Sequence, residues 1–193
     1  TADYNYDYEN HYQVAGAETT DSKGVLYITN NEYSIFSDPN AFRIVPSKTN
    51  TYKGATKLSE QNTVYRDFNG IYLPEIIQTA KGTQALEDRI IYHDYDDKGN
   101  PIEVSKKDGT KIYYVWGYEQ TQPIAKIEGY TDTQLNAIQA KINTAVSASN
   151  NDVSKSTEDT LRTALKAIRE DSSIRNGKAQ VTTFTYDPLI GVT

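Results

Sequence analysis

The sequence predicts a mainly β protein, an antiparallel β-hairpin meander with an inserted α-helical hairpin. Three observations lead there. Residues 92–118 read Y-H-D-Y-D-D-K-G-N-P-I-E-V-S-K-K-D-G-T-K-I-Y-Y-V-W-G-Y, strand-like runs separated by Asp-, Asn- and Gly-rich reversals. Tyrosine fills 16 of 193 positions although only 37% of residues are hydrophobic. A phenol ring packs on a pleated sheet while its hydroxyl stays wet, so this composition suits a sheet whose faces are only partly dry. Between Asp132 and Ser172 there is no Gly, Pro or aromatic residue, and the strand signature gives way to a helical one.

Taken in order, Tyr4, Tyr6 and Tyr8 alternate with Asp3, Asn5, Asp7 and Glu9, which predicts a strand over 3–10. Residues 12–20 continue it, Asp21-Ser22-Lys23-Gly24 turns, and 25–29 return. Residues 37–42 read as a loop. Residues 43–52 and 56–68 form a hairpin about Lys53-Gly54-Ala55. Asn69-Gly70 is the strongest two-residue hairpin signal in the chain. Residues 71–79 follow, Lys81-Gly82 turns, and 86–95 lead into the central unit.

In that unit, Ile102 and Val104 alternate with polar neighbours between the turns at 97–100 and 107–109. Residues 111–118 then place Ile112, Tyr114, Trp116 and Tyr118 on one face. Ile112, Tyr114 and Trp116 are expected to face a core or a further sheet layer, and Tyr113 to face solvent. Residues 124–128 add a strand. Leu135, Ile138, Ile142 and Val146 recur at helical spacing behind Thr131 or Asp132 as N-cap. Leu161, Ala164, Leu165 and Ile168 do so behind Ser156 or Thr157, with Asp159 three residues after Ser156. Residues 149–154 form a polar linker. Asn176-Gly177 closes the insert, and 180–186 resume strand. The expected divisions are 1–129 for the meander, 130–178 for the helical hairpin and 179–193 for the return strand.

The order Tyr6-Asp7, Val14, Ser22-Lys23-Gly24, Tyr27, Tyr33 parallels Tyr95-Asp96, Val104, Lys107-Asp108-Gly109, Tyr113, Tyr118, which reads as a divergent repeat. Tyr95-Asp96-Asp97-Lys98-Gly99-Asn100, a short apolar strand, Asp108-Gly109-Thr110 and an aromatic strand together resemble the YD repeat of RHS-repeat proteins. The wider set is Leu73-Pro74-Glu75, Lys81-Gly82-Thr83, Trp116-Gly117-Tyr118 and the run 123–128. It resembles large RHS-repeat proteins that bacteria secrete through the type IX system, and the ending 181–193 resembles their join to further repeats. The likeness covers 73–193; over 1–72 it rests on tyrosine alternation alone.

The resemblance implies an RHS/YD-repeat-like sheet, secreted or on the bacterial cell surface. It implies a structural segment of a shell that encloses or presents a toxin or effector domain. The implied partners are neighbouring RHS repeats and an enclosed effector of the same polypeptide. The irregular repeats, the helical insert and the lack of a self-cleaving sequence point to a plug, cap or entry section rather than regular wall. The absence of Met, and ends that read as mid-phrase, make a fragment of a larger protein the expectation.

The net charge of -6 argues against a nucleic-acid surface. No run approaches the roughly 18 apolar residues of a membrane span. Without cysteine there is neither a disulfide frame nor a thiol nucleophile.

His11 and His93 read as ordinary hydrogen-bonded or exposed strand residues. Asp94-x-Asp96-x-x-Gly99 has the start of a calcium loop, but Lys98 and Ser105 stand where ligands would be needed, so a turn in which Asp and Asn bond their own backbone is the better reading. Glu87-Asp88, adjacent in a strand, point to opposite faces and so cannot flank one bond as glycosidase carboxylates. Glu158-Asp159 suit a helix start. No Walker loop, dinucleotide fingerprint, metal-spaced His set or nucleophile elbow occurs. The reading is therefore no enzyme, no cofactor and no metal. The alternative function is a carbohydrate-binding or adhesion module that stacks sugars on exposed Tyr114, Trp116 and Tyr118.

Overall fold

The chain is described by a computed structural model over residues 2–38, 41–175, 177, 179–187 and 191–192. Strands β1 (Ala2–Tyr6), β2 (Val14–Thr20), β3 (Leu26–Asp38), β4 (Ala41–Lys53), β5 (Thr56–Phe68), β6 (Ile71–Lys81), β7 (Glu87–Tyr95), β8 (Pro101–Lys106), β9 (Lys111–Gly117), β10 (Gln122–Glu128) and β11 (Gln180–Thr183) are neighbours in that order in an antiparallel sheet. Helices α1 (Asp132–Ala137), α2 (Gln139–Asn150), α3 (Lys155–Arg169) and α4 (Ser172–Arg175) lie between β10 and β11. Strands β12 (Tyr186–Asp187) and β13 (Gly191–Val192) pair separately. The fold class read from the sequence is the one observed. The chain divides into two compact units, Thr1–Ile91 and Tyr92–Thr193.

Short polar turns make this meander possible. In Asp21-x-Lys23-Gly24 and Asp96-x-Lys98-Gly99 the same device recurs: the Asp Oδ1 accepts from the backbone N–H groups two and four residues on. In both, the glycine takes positive φ, +77° at Gly24 and +81° at Gly99. Asn69 and Gly70 both adopt positive φ, the geometry of a two-residue turn that matches strand twist.

In the first unit β3 to β6 build two long hairpins. The β4–β5 ladder runs only from Lys48↔Asn62 to Lys53↔Thr56. Beyond it the hairpin ends meet through side chains. Phe36 stacks on Tyr72 at 4.5 Å and contacts Tyr65 at 5.4 Å, and the Tyr65 hydroxyl donates to the Pro46 carbonyl at 2.9 Å. Below, a polar ladder crosses successive strands. Lys48 pairs with Glu32 and Glu60, Asn62 donates to Gln78, and Gln78 donates to Asp88 at 2.8 Å. Among the described residues of this unit only Gly16, Asn50 and Ala80 are buried. It is a sheet without a hydrophobic core of its own.

The second unit has the core. Tyr113 and Val115 of β9, with Ile124, Ala125 and Ile127 of β10, meet Ile138, Ile142, Ala145, Leu161, Leu165 and Ile168 from the helices. A register shift between Pro123 and Ala125 puts two successive residues, Ile124 and Ala125, into that core.

Several local expectations are corrected. The first strand stops at Tyr6, because Asp7 opens a turn in which its carboxylate accepts the backbone and side-chain N–H groups of Asn10. His11 therefore sits in a turn rather than a strand. The loop at 37–42 is shorter than expected: β3 runs to Asp38 and β4 begins at Ala41, and Pro39 and Asn40 lie outside the described residues. Asn176 of the closing turn, residues 188–190 and Thr193 lie outside them too.

The first helix breaks at Ile138, whose side chain is drawn into the core at 1% exposure. Thr131 caps α1 in a capping box with Gln134. The cap of α3 is Ser154, with Thr157 rather than an acid completing the box, so the helix starts before Ser156. The 149–154 linker shortens accordingly, since α2 extends through Asn150. Strand β11 ends at Thr183 rather than 186.

Candidate functional site

The side chains proposed for sugar stacking come from β9 and the turn after it. Their expected arrangement is corrected in two ways. Tyr113 does not face solvent: it is 3% exposed, under the helices, and its hydroxyl donates to Asp132 at the start of α1. Helices that arrive some 20 residues later in the chain claim the Tyr113 and Val115 face. Burial first, and the bond to Asp132 second, raise the Tyr113 phenol above its ordinary range. Lys111 also reaches Asp132, at 2.7 Å, and Glu103 at 2.8 Å; these bonds hold its ammonium well above the usual lysine range.

Tyr118, expected in line with Tyr114 and Trp116, leaves the strand. It begins a run of three non-glycine residues at positive φ: Tyr118 (+50°), Glu119 (+55°) and Gln120 (+61°). Such left-handed backbone costs roughly 1–2 kcal/mol per residue and persists only where surroundings over-determine it. Here the end of α2 does so. Ser149 Oγ accepts from the Tyr118 N–H at 3.2 Å and Asn150 Oδ1 from the Glu119 N–H at 2.8 Å. The Tyr118 hydroxyl donates to Asp152 at 2.8 Å. From the other side, Asn100 Nδ2 donates to the Gln120 carbonyl at 2.8 Å, and Lys98 Nζ donates to the Glu119 carbonyl.

Gly117 permits the approach: a Cβ there would lie 2.8 Å from Ile124 Cγ2 and 2.9 Å from Ser149 Cβ. The Tyr118 ring packs edge-on to Tyr186, and burial, then the bond to Asp152, push its phenol up to about 12. Nothing in the sequence near 118–120, where no glycine stands, signals this turn.

Tyr114 and Trp116 remain half-buried and line a cleft of about 390 Å³ between the sheet and α1–α2. The Trp116 indole N–H donates to the Pro101 carbonyl at 2.9 Å, which fixes the ring. Gln120 from the left-handed turn and Gln139 and Asn143 from α2 add polar groups to the cleft. Gln139 and Asn143 stand four residues apart, at helical spacing, whereas Gln120 carries no such signal, and only the fold brings the three to one cleft.

Elsewhere the sequence candidates are spent on structure. His93 Nε2 lies 2.8 Å from Ser105 Oγ, and His11 Nε2 lies 3.4 Å from Asp7, with its ring 4.7 Å from Tyr33. The Asp96 carboxylate serves its own turn. Asp88 accepts from Gln78, and Glu158 pairs with Arg162 within α3. Among the described residues no group of three or more His, Cys, Asp or Glu is placed to hold a metal ion, and no helix is long and apolar enough to cross a membrane. A separate aromatic group is exposed at the first hairpin: Tyr6, Tyr8 and Tyr12, with rings 5.8 and 6.0 Å apart in sequence order, beside Tyr4.

Set against family models, curated proteins and solved structures, the chain finds no match in any of the three comparisons.

Proposed function

We propose that the chain is a structural segment of a secreted or cell-surface bacterial protein of the RHS-repeat kind, contributing to a shell that encloses or presents a toxin or effector domain, with no catalysis in this segment. The observation that carries this reading is the sheet of the first unit, which leaves both faces without a core. Burial of apolar surface is the main stabilising term in a fold, so a sheet this poorly covered is suited to being covered by something else. Neighbouring repeats and an enclosed domain of the same polypeptide would do that. The recurring Asp-x-Lys-Gly turn supports a repeat origin, and β1, exposed along its whole length at the end of the strand order, offers an edge for continuation.

The test is an intact mass and a cross-linking map of the native protein. The reading expects a product far above 21.7 kDa, with cross-links from 1–91 to further Tyr-Asp repeats. A native product of 21.7 kDa that stays monomeric in solution would overturn it. The alternative, a carbohydrate-binding or adhesion module, draws support from one observation, the placement of Tyr114 and Trp116 along a cleft.

A further inference from the structure

We infer that β1, with the tyrosines of the turn after it, is a docking edge for an extended, arginine-rich segment of a partner protein. The inference stands apart from the shell reading, since it needs only the exposure and charge of residues 2–22.

Backbone and rings define the edge. β1 ends the strand order and pairs with β2 alone, so one row of its N–H and C=O groups meets no strand among the described residues. All five of its residues are exposed. Such an edge accepts a further strand through main-chain hydrogen bonds, and alternate side chains set the choice of partner. Tyr4 and Tyr6 share one face of β1, Tyr4 opposite the small Ala17. Tyr6, Tyr8 and Tyr12 follow one another with ring centres 5.8 and 6.0 Å apart. With Tyr4 they are 43–71% exposed, aromatic surface of the kind that anchors interfaces.

Charge selects the occupant. No Lys or Arg precedes Lys23, whereas Asp3, Asp7, Glu9, Glu18 and Asp21 do, so this hairpin holds most of the chain's net charge of -6. Asp7 and Asp21 serve their own turns. Asp3, Glu9 and Glu18 have no ion-pair partner among the described residues. Asp3 also lies directly opposite Glu18 in the β1–β2 ladder, a like-charge pair that weakens its own hairpin and that an incoming cation would relieve. A second copy would set these acids against their own kind, which disfavours self-pairing. An arginine-rich strand meets both faces instead. Its guanidinium groups stack on the tyrosine rings on one side and pair with Asp3 and Glu18 on the other, two tasks that arginine performs better than lysine.

The experiment titrates the full chain into a fluorescein-labelled peptide of about ten residues built from Arg-Arg-Thr units, which puts arginine on both faces of a strand. Fluorescence anisotropy should give a Kd on the order of 10 µM to 1 mM, with slower amide exchange within β1. A Glu-Glu-Thr peptide should not bind. Proline in place of threonine keeps the charge but breaks the strand, and should weaken binding about tenfold. Tyr6→Ser with Tyr8→Ser, and separately Asp3→Asn with Glu18→Gln, should each weaken it about tenfold, with amide protection of β3 and β4 unchanged. Equal affinity for the threonine and proline peptides would overturn the inference, as would no binding at about 1 mM. Binding that survives both double variants would overturn it too, by placing the peptide elsewhere on the acidic surface. So would a dimer in sedimentation that Tyr4→Pro dissolves, since the edge would then belong to a second copy. None of these readouts depends on the mass of the native product, so this inference and the shell reading can fail separately.

Discussion

The two units spend the same residue types in opposite ways. In residues 1–91 tyrosines, amides and charges pair laterally across a sheet that buries almost nothing. In 92–193 two consecutive strands and four helices enclose an apolar core, and polar side chains tie the helices to the sheet. Tyr65 and Tyr113 show the contrast: one hydroxyl bridges to a neighbouring hairpin's backbone near the surface, the other is sealed under a helix against a carboxylate. Lateral hydrogen bonds fix register but contribute little net stability each, about 0.5–1.5 kcal/mol, whereas a buried aliphatic side chain contributes more. The second unit is therefore expected to be the stable one, and the first to depend on what covers it.

The largest expected effect is in the core. Leu165, 1% exposed, is surrounded by the α2–α3 and sheet contacts, and Leu165→Ala should cost about 2–5 kcal/mol by urea unfolding. Val64→Ala in the half-buried first sheet should cost less than about 1 kcal/mol. Equal effects would break the comparison. Next comes Gly117→Ala, where the added methyl meets Ile124 and Ser149 and must displace α2. A loss of roughly 1–3 kcal/mol is expected, together with release of the 118–120 turn, visible as faster hydrogen exchange at Tyr118 and Glu119.

Two titrations sharpen the contrast from either side of neutrality. Hydrogen bonds from Lys141 and Ser173 hold Asp171 at about 2, below its ordinary 3.8. A depressed folded pKa means that the contribution is full above about pH 4 and disappears as pH falls from there towards 2. Discounted for the exposure of Lys141, it is worth roughly 1 kcal/mol, so Asp171→Asn should remove that amount at pH 7 and flatten the acid limb of the stability curve. Tyr118 runs the other way. Its folded pKa, about 12, lies above the ordinary 10, so its contribution is complete below pH 10 and is lost as pH rises towards 12. Tyr118→Phe should cost about 1 kcal/mol at pH 7, and the wild-type excess should vanish in that alkaline window.

What could be read in advance was what neighbours in sequence decide. The Asp-x-Lys-Gly turns and Asn69-Gly70 are local chemistry, and the stripe Leu161, Ala164, Leu165, Ile168 needs only helical periodicity. The strand face of β9 did not yield, because Ile112, Tyr113, Tyr114 and Val115 are apolar or aromatic on both sides, and the helices that choose between the sides come later. The cap of α3 fell to Ser154 because Thr157 can close the box with its own hydroxyl, a substitute for the acid that pointed to Ser156. The rim of the cleft depends on Ser149, Asn150 and Asp152, some 30 residues from the turn they hold. Such a constraint leaves no local trace.

The smallest expected effect tests the first unit on its own terms. Gln78 sits between Asn62 and Asp88, accepting from one and donating to the other, in a sheet with no apolar layer behind it. Gln78→Ala removes both bonds, yet all three groups are only half-buried and water can replace much of what is lost. The expected loss is about 0.5–1 kcal/mol, confined to β5–β7 and read as faster amide exchange at Asn62, Thr79 and Asp88, with the amides of β9 and α3 unchanged. If the loss instead exceeded about 2 kcal/mol and spread along β3 to β6, the polar ladder would be acting cooperatively. The first unit would then hold itself together by its side-chain network, with no need of a covering partner, and the main support for the scaffold reading would be gone.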